Sequence, residues 1–133
     1  MWLCTKHGFY SVKQDSEDRY FIRARRRRDL ENLIALMAGR WVGSPDELDL
    51  IRSSSERSVW SECTPQLILE WPQADYRFRL IVSQRALREA YAALADGIDY
   101  PNFKGEIAER LDQHDHLALY HRVWAVMSDL QEE

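Results

Sequence analysis

Hydrophobic and polar positions alternate with period two in MWLCTKHGFYSVKQ, residues 1–14, and again in YFIRAR, residues 20–25. That period marks half-buried strands. His7-Gly8 separates the first two runs, and a two-residue loop ending in glycine suits a type I′ hairpin turn. The turn would pair Lys6 with Phe9, Thr5 with Tyr10, Cys4 with Ser11 and Leu3 with Val12. Opposed residues share a face, so Leu3, Thr5, Tyr10 and Val12 point one way. Trp2, Cys4, Lys6, Phe9 and Lys13 point the other. A polar loop, Gln14–Asp18, leads to a third strand at 20–26, which separates Tyr20, Ile22 and Ala24 from Phe21, Arg23 and Arg25.

The period then lengthens to that of a helix. Leu30, Leu33, Ile34 and Met37 follow helical spacing, with Asp29 as N-cap, Glu31 in the first turn and Gly39 as the C′ residue. SPDELDLIR at 44–52 reads as a short helix, with Ser44 and Glu47 as a capping box and Pro45 at its first position. Val59–Cys63 reads as an edge strand. LILEW and YRFRLIVS, flanking Pro72–Asp75, read as a second hairpin with Tyr76, Phe78, Leu80 and Val82 opposite Arg77, Arg79 and Ile81.

The remainder is helical. Taken together the elements predict an α+β two-layer sandwich with a helical C-terminal third. The expected sheet, mainly antiparallel, uses 2–6, 9–14, 20–26, 67–71 and 76–82; helices at 30–38, 84–96, 102–112 and 116–130 pack on one face. Leu3, Tyr10, Ile22, Leu33, Phe78, Leu80, Leu87, Tyr91, Phe103, Leu111, Tyr120 and Trp124 form the expected core.

The 133 residues suit a single domain, 1–133. A net charge of −4 argues against a generic nucleic-acid coat, so any anion-binding surface has to be local. Cys4 and Cys63 form no CxxC or Cys/His motif, as in a reduced intracellular protein. The N-terminus lacks the basic and apolar regions of a signal peptide. The longest apolar run, Leu33–Ala38, is too short for a bilayer. A cytoplasmic location without membrane contact is expected.

MWLCTKHGFYS, RARRRRDLENL and IDYPNFK with the later YHRVW resemble a group of small bacterial proteins of unknown function. These open with a Met-Trp…Thr…Gly-Phe-Tyr-Ser hairpin and carry Ile-Asp-Tyr-x-Asn-Phe-Lys before a terminal helix. The resemblance covers most of the chain except 40–66, which reads as an insertion. It implies one compact domain and neither an activity nor a cofactor.

Candidate chemistry begins with the arginine run Arg25–Arg28. A run straddling a strand end cannot act as one patch, and Asp15, Glu17, Asp18, Asp29 and Glu31 are near enough in sequence to neutralise much of it. The strand-borne arginines join a more specific pattern. With the Leu3/Tyr10/Ile22/Phe78 face covered by helices, the opposite face gathers Trp2, Phe9, Phe21, Arg23, Arg25, Arg77 and Arg79. Aromatics interleaved with arginines suit a protein hot spot or a stacking platform for single-stranded bases. They also suit plain stem-over-ring packing, with the heads paired to Glu62, Glu70 or solvent.

His114, His116 and His121 are the candidate metal ligands, but His116 and His121 are spaced to diverge on a helix. Cys4, His7 and Ser11 share the first hairpin without an orienting carboxylate. His7 and Tyr10 with sheet arginines could serve a metal-independent ribonuclease. No P-loop, GxGxxG or HExxH occurs. In IDYPNFK, Asp99, Tyr100, Asn102 and Lys104 could line a polar pocket. A helix–helix corner, capped by Asp99 or Asn102 and anchored by Ile98 and Phe103, ranks above it.

The expected function is a non-catalytic protein-interaction module on the aromatic and arginine face, needing no cofactor. Its partner would be another protein, of a bacterial or mobile-element complex, or a second copy. Single-stranded RNA or DNA binding on that face ranks second and ribonuclease chemistry third.

Overall fold

The computed structural model describes residues 1–39, 60 and 63–131. The fold is α+β, as the pattern predicts. Five strands, β1 (Trp2–Cys4), β2 (Phe9–Ser16), β3 (Arg19–Ala24), β4 (Leu69–Glu70) and β5 (Phe78–Val82), form one antiparallel sheet in the order β1-β2-β3-β5-β4. Four α-helices accompany it among the described residues: α1 (Arg27–Gly39), α2 (Gln84–Asp96), α3 (Phe103–Glu109) and α4 (Leu117–Met127). No described helix is long and apolar enough to cross a membrane. The expected helix at 44–52 lies outside the described residues, as do Val59 and Glu62 of the expected edge strand. Trp60 sits instead in a helical turn closed by the Cys63 N–H on its carbonyl, 3.0 Å.

α1 and α2 lie side by side on β3 and β5. Between them and the sheet, Tyr10, Val12, Ile22, Ala24, Leu30, Leu33, Met37, Leu80, Leu87 and Ala90 are buried. Trp60 joins this core, its indole N–H donating to the Ala86 carbonyl at 2.7 Å. Leu3, Phe78, Tyr91 and Phe103 are half-buried. Leu111, 96% exposed, and Trp124, 60% exposed, are outside the core expected of them. Leu111 follows the end of α3, and Trp124 lies on the side of α4 that carries His121, with Lys104 of α3 over its ring.

The caps act locally. Ser83 accepts from Ala86 N at the start of α2, and Asn102 accepts from Gly105 N at the start of α3, 2.8 Å. IDYPNFK is therefore a corner, held by Asn102, by a Phe103–Tyr120 ring contact and by a Lys6–Asp99 ion pair of 2.9 Å. Ile98 anchors nothing, being exposed.

The first hairpin differs from its expected register. Leu3 faces Tyr10, not Val12, and Cys4 faces Phe9, so the loop is Thr5–Gly8. The two-residue slide moves Thr5 and Lys6 into the loop and keeps the remaining strand residues on their expected faces. Thr5 closes the loop with its hydroxyl, which accepts from the His7 and Gly8 amides at 3.1 Å each. Gly8 has no positive φ, as a type I′ turn would require. It is glycine because a Cβ there would lie 2.5 Å from Asp29 Cβ. Further on, β3 stops at Ala24 and β5 begins at Phe78, so Arg25, Tyr76 and Arg77 lie outside the strands. Asp29 is not the N-cap; α1 starts two residues earlier and carries Asp29 inward in its first turn.

The Gly8 contact makes a specific expectation. Gly8→Ala should lower the unfolding free energy by about 1–3 kcal/mol through overpacking against Asp29. Gly105→Ala, whose Cβ would meet nothing nearer than 3.5 Å, should be neutral or raise stability by about 0.5–1 kcal/mol. Urea titration of both variants checks the pair, and equal effects would contradict the account of Gly8.

Candidate functional site

The four arginines of the run part company. Arg25 lies over the Tyr76 ring, 4.9 Å from its centroid. Arg26 pairs with Asp115 and approaches His116. Arg27 pairs with Glu31, one helical turn on, and donates to the Pro65 carbonyl at 3.0 Å. Arg28 donates to the Asp112 carbonyl. Arg26, Arg27 and Arg28 thus tether distant turns to the start of α1. Apart from Glu31, three of the acids expected to neutralise the run, Asp15, Asp18 and Asp29, are occupied elsewhere. Asp15 pairs with Arg19 at 3.0 Å, and Asp18 accepts from the Gln84 amide at 2.8 Å.

The sheet face opposite α1 and α2 is partly consumed by its own side chains. Phe21, 5% exposed, lies under Lys13 and Arg79 and against the edge of Trp71. Arg79, 4% exposed, lies 3.7 Å from the Trp71 ring centroid and donates to the Tyr76 carbonyl at 2.9 Å. Arg23 donates to Ser11 Oγ at 2.7 Å and stacks on Tyr76. Arg77 pairs with Glu70. Tyr76, expected on the inner face, is buried beneath the guanidinium groups of this one. Trp2, Phe9 and Arg25 are left.

Those three line one wall of a groove of ≈ 600 Å³. The other wall is α4, with Leu119, Arg122, Val123, Val126 and Met127. Trp2 and Phe9 meet edge to face at 6.2 Å. Arg25 and Arg122 form no ion pair among the described residues. A concave apolar surface over a few polar groups is the usual form of a binding site.

At its base the groove reaches Asp29, Asp115, His116 and Tyr120. Asp29, 2% exposed, accepts from the Phe9 amide through Oδ2 at 3.2 Å and from Gln113 Nε2 through Oδ1 at 3.3 Å. Its backbone carbonyl accepts from the Tyr10 hydroxyl at 2.6 Å. Buried His116 stands 3.5 Å from Asp29 Oδ2 through Nε2 and 3.1 Å from Asp115 Oδ1 through Nδ1. The Asp29 hydrogen bond, opposed by burial and helped by Asp115, raises the imidazole above its ordinary pKa. Burial raises the Tyr120 hydroxyl well above its own, and that oxygen has no hydrogen-bond partner among the described residues.

No base with an orienting carboxylate was expected from sequence; His116 with Asp29 is one. Both imidazole nitrogens, however, face carboxylates, so neither is free to take a proton from a substrate. The cluster joins elements: Asp29 opens α1, Phe9 opens β2, and His116 leads into α4. Asn32 and Gln113 add to it by donating to the His7 carbonyl at 2.9 and 3.2 Å. Asn32, Asp29 and Gln113 had no signal in sequence, because their partners come from remote segments.

The three candidate metal ligands do not converge. His114 is exposed, His116 is buried against Asp29, and His121 stacks on Trp124 at 5.6 Å. No group of three or more His, Cys, Asp or Glu among the described residues is placed to hold a metal ion. Cys4 and His7 both border a smaller hollow of ≈ 260 Å³ beside the end of α2, and His7 Nε2 has no partner there among the described residues. Burial lowers the His7 imidazole below its ordinary pKa, with Arg110 and Lys6 adding to the effect. Comparison with protein-family models, with curated proteins and with solved structures returns no match.

The two histidines act on stability in different pH ranges. His116 has a raised folded pKa, so its contribution is full below the unfolded value of about 6.5 and is lost as pH rises through the folded value. His7 has a lowered folded pKa, so its effect is an unfavourable one that grows as pH falls below about 6.5. The stability difference between wild type and His116→Gln should therefore shrink on going alkaline, by up to about 1.4 kcal/mol for each pH unit between the two His116 values. Denaturant titrations across that range check it, and a constant difference would contradict the charged bridge.

Proposed function

We propose that the chain is a small intracellular, non-catalytic protein-interaction module whose groove receives apolar side chains of a protein partner. The observation that carries this reading is the exposed apolar lining of Trp2, Leu119, Val123, Val126 and Met127 around a fixed polar base. Aromatic, methionine and arginine side chains are favoured at interface centres. Burying one Val, Leu or Met side chain there contributes about 1.5–3 kcal/mol.

The alternatives have less to draw on. A base-stacking platform would need Phe21 and Arg79, which are buried against each other and against Trp71. Arg25 and Arg122 make two cationic contacts, whereas non-specific nucleic-acid affinity draws on about 6–10 phosphate contacts. Acid–base chemistry in the groove would need a nitrogen of His116 released from its carboxylates, and His7 lies apart from it, in the smaller hollow.

Random peptides displayed on phage and selected on the sparsely immobilised chain provide the test. Sequences with large apolar residues at helical spacing should be enriched, and Val123→Glu should weaken their binding at least about tenfold. Labelled single-stranded RNA and DNA are titrated alongside. Salt-sensitive nucleic-acid binding that Arg25→Glu/Arg122→Glu abolishes, with no peptide enriched, would replace the module with a nucleic-acid reader. Loss of the intact RNA would replace it with a nuclease.

A further inference from the structure

α4 is more apolar than α1 or α2 and runs on into a 3-10 turn, Ser128–Leu130, yet every residue from His121 to Gln131 is exposed. Its large side chains are not scattered. Leu119, Val123, Val126 and Leu130 recur at intervals of four, three and four, which is the alternation of a coiled-coil seam. All four are exposed, and the first three line the groove. The two valines at the middle of the seam are short, which allows a second helix to approach closely.

The charges flanking the seam have a definite order. Arg122 stands immediately before Val123, and Asp129 immediately before Leu130. The two residues occupy the same flanking position in successive repeats. Neither forms an ion pair among the described residues.

We infer that the partner in the groove is α4 of a second copy of this chain, laid antiparallel along the Leu119–Leu130 seam. This rests on the module reading and names its partner. In that arrangement Leu119 opposes the partner's Leu130 and Val123 opposes the partner's Val126. Arg122 then meets the partner's Asp129, and by the two-fold symmetry Asp129 meets the partner's Arg122. Flanking charges of this kind set helix orientation and partner choice. A surface that matches itself in this way is what a two-fold dimer requires. A parallel pair would instead bring Arg122 toward the partner's Met127, leaving both charges unmatched. Trp2, on the facing wall, extends the apolar contact beyond the helices.

Sedimentation of the full chain over a concentration series tests the inference, using wild type, Arg122→Glu, Asp129→Arg, the double exchange and Val126→Asp. All three positions are exposed, and circular dichroism confirms that each variant folds. Wild type should dimerise. Each single reversal turns two reciprocal attractions into two repulsions and should weaken the dimer about tenfold or more. The double exchange should restore wild-type affinity, and Val126→Asp should give a monomer. A wild-type chain that stays monomeric to about 1 mM, the weak end of specific association, overturns the inference. A dimer insensitive to these variants, or a double exchange that restores nothing, overturns it equally. A monomeric chain whose groove still selects apolar peptides removes the second copy and keeps the module; a monomer that selects none removes both.

Discussion

One buried carboxylate holds the molecule's parts in relation. Asp29 sits in the first turn of α1 and is shared among segments remote in sequence: the first hairpin through the Phe9 amide, and the C-terminal region through Gln113 and His116. Burying a charge costs several kcal/mol unless hydrogen bonds and a near counter-charge offset it. Two hydrogen-bond donors and an imidazole whose charged form is favoured do so here. Gly8 belongs to the same constraint, because only a residue without a Cβ lets the hairpin loop press against Asp29. The groove follows from this. α4 stands opposite Trp2 and Phe9 because the turn before it is bound to the carboxylate that also binds Phe9.

The arginines obey a related logic. Arg23 and Arg79 lie along aromatic rings, and the heads of Arg23, Arg26, Arg27, Arg28, Arg77 and Arg79 find a hydroxyl, carbonyl or carboxylate. Arg79 between Phe21 and Trp71 is the extreme case, a guanidinium used as a flat spacer inside the sheet's outer layer. A surface that looks cationic in sequence is therefore largely self-satisfied. What it leaves open is the apolar surface of α4 and Trp2, with Arg25 and Arg122 beside it.

Features set by local rules were legible in the sequence. Strand alternation, the Asn102 cap and the stripe on α1 depend on neighbours in the chain, and each falls close to its expected place. The hairpin slid by two residues yet kept its faces, since the side-chain period is two. Tyr76 was misplaced because the alternation continued on paper past the point where the strand ends. Features set by distance were not legible. Phe9 lies 20 residues from Asp29 and Gln113 lies 84 from it, and nothing in either neighbourhood announces the contact. Trp124 and Leu111 failed for another reason: helical spacing identifies an apolar stripe but does not say whether the fold covers it. Of the seven residues proposed for the sheet face, Trp2, Phe9 and Arg25 reach the groove. The α4 wall, Leu119, Val123, Val126 and Met127, belongs to neither the expected core nor the expected sheet face.

The central claim is that Asp29 fixes α4 across from the hairpin and so forms the groove. Residue-resolved amide hydrogen exchange of wild type and Asp29→Asn tests it most directly, since the substitution keeps the shape and removes the charge that His116 faces. The account predicts faster exchange at Phe9 and along α4, by at least about tenfold for each 1.4 kcal/mol of lost docking energy, with β2, β3 and α1 still protected beyond their ends. Wild-type exchange rates along α4 in the Asn variant would contradict it.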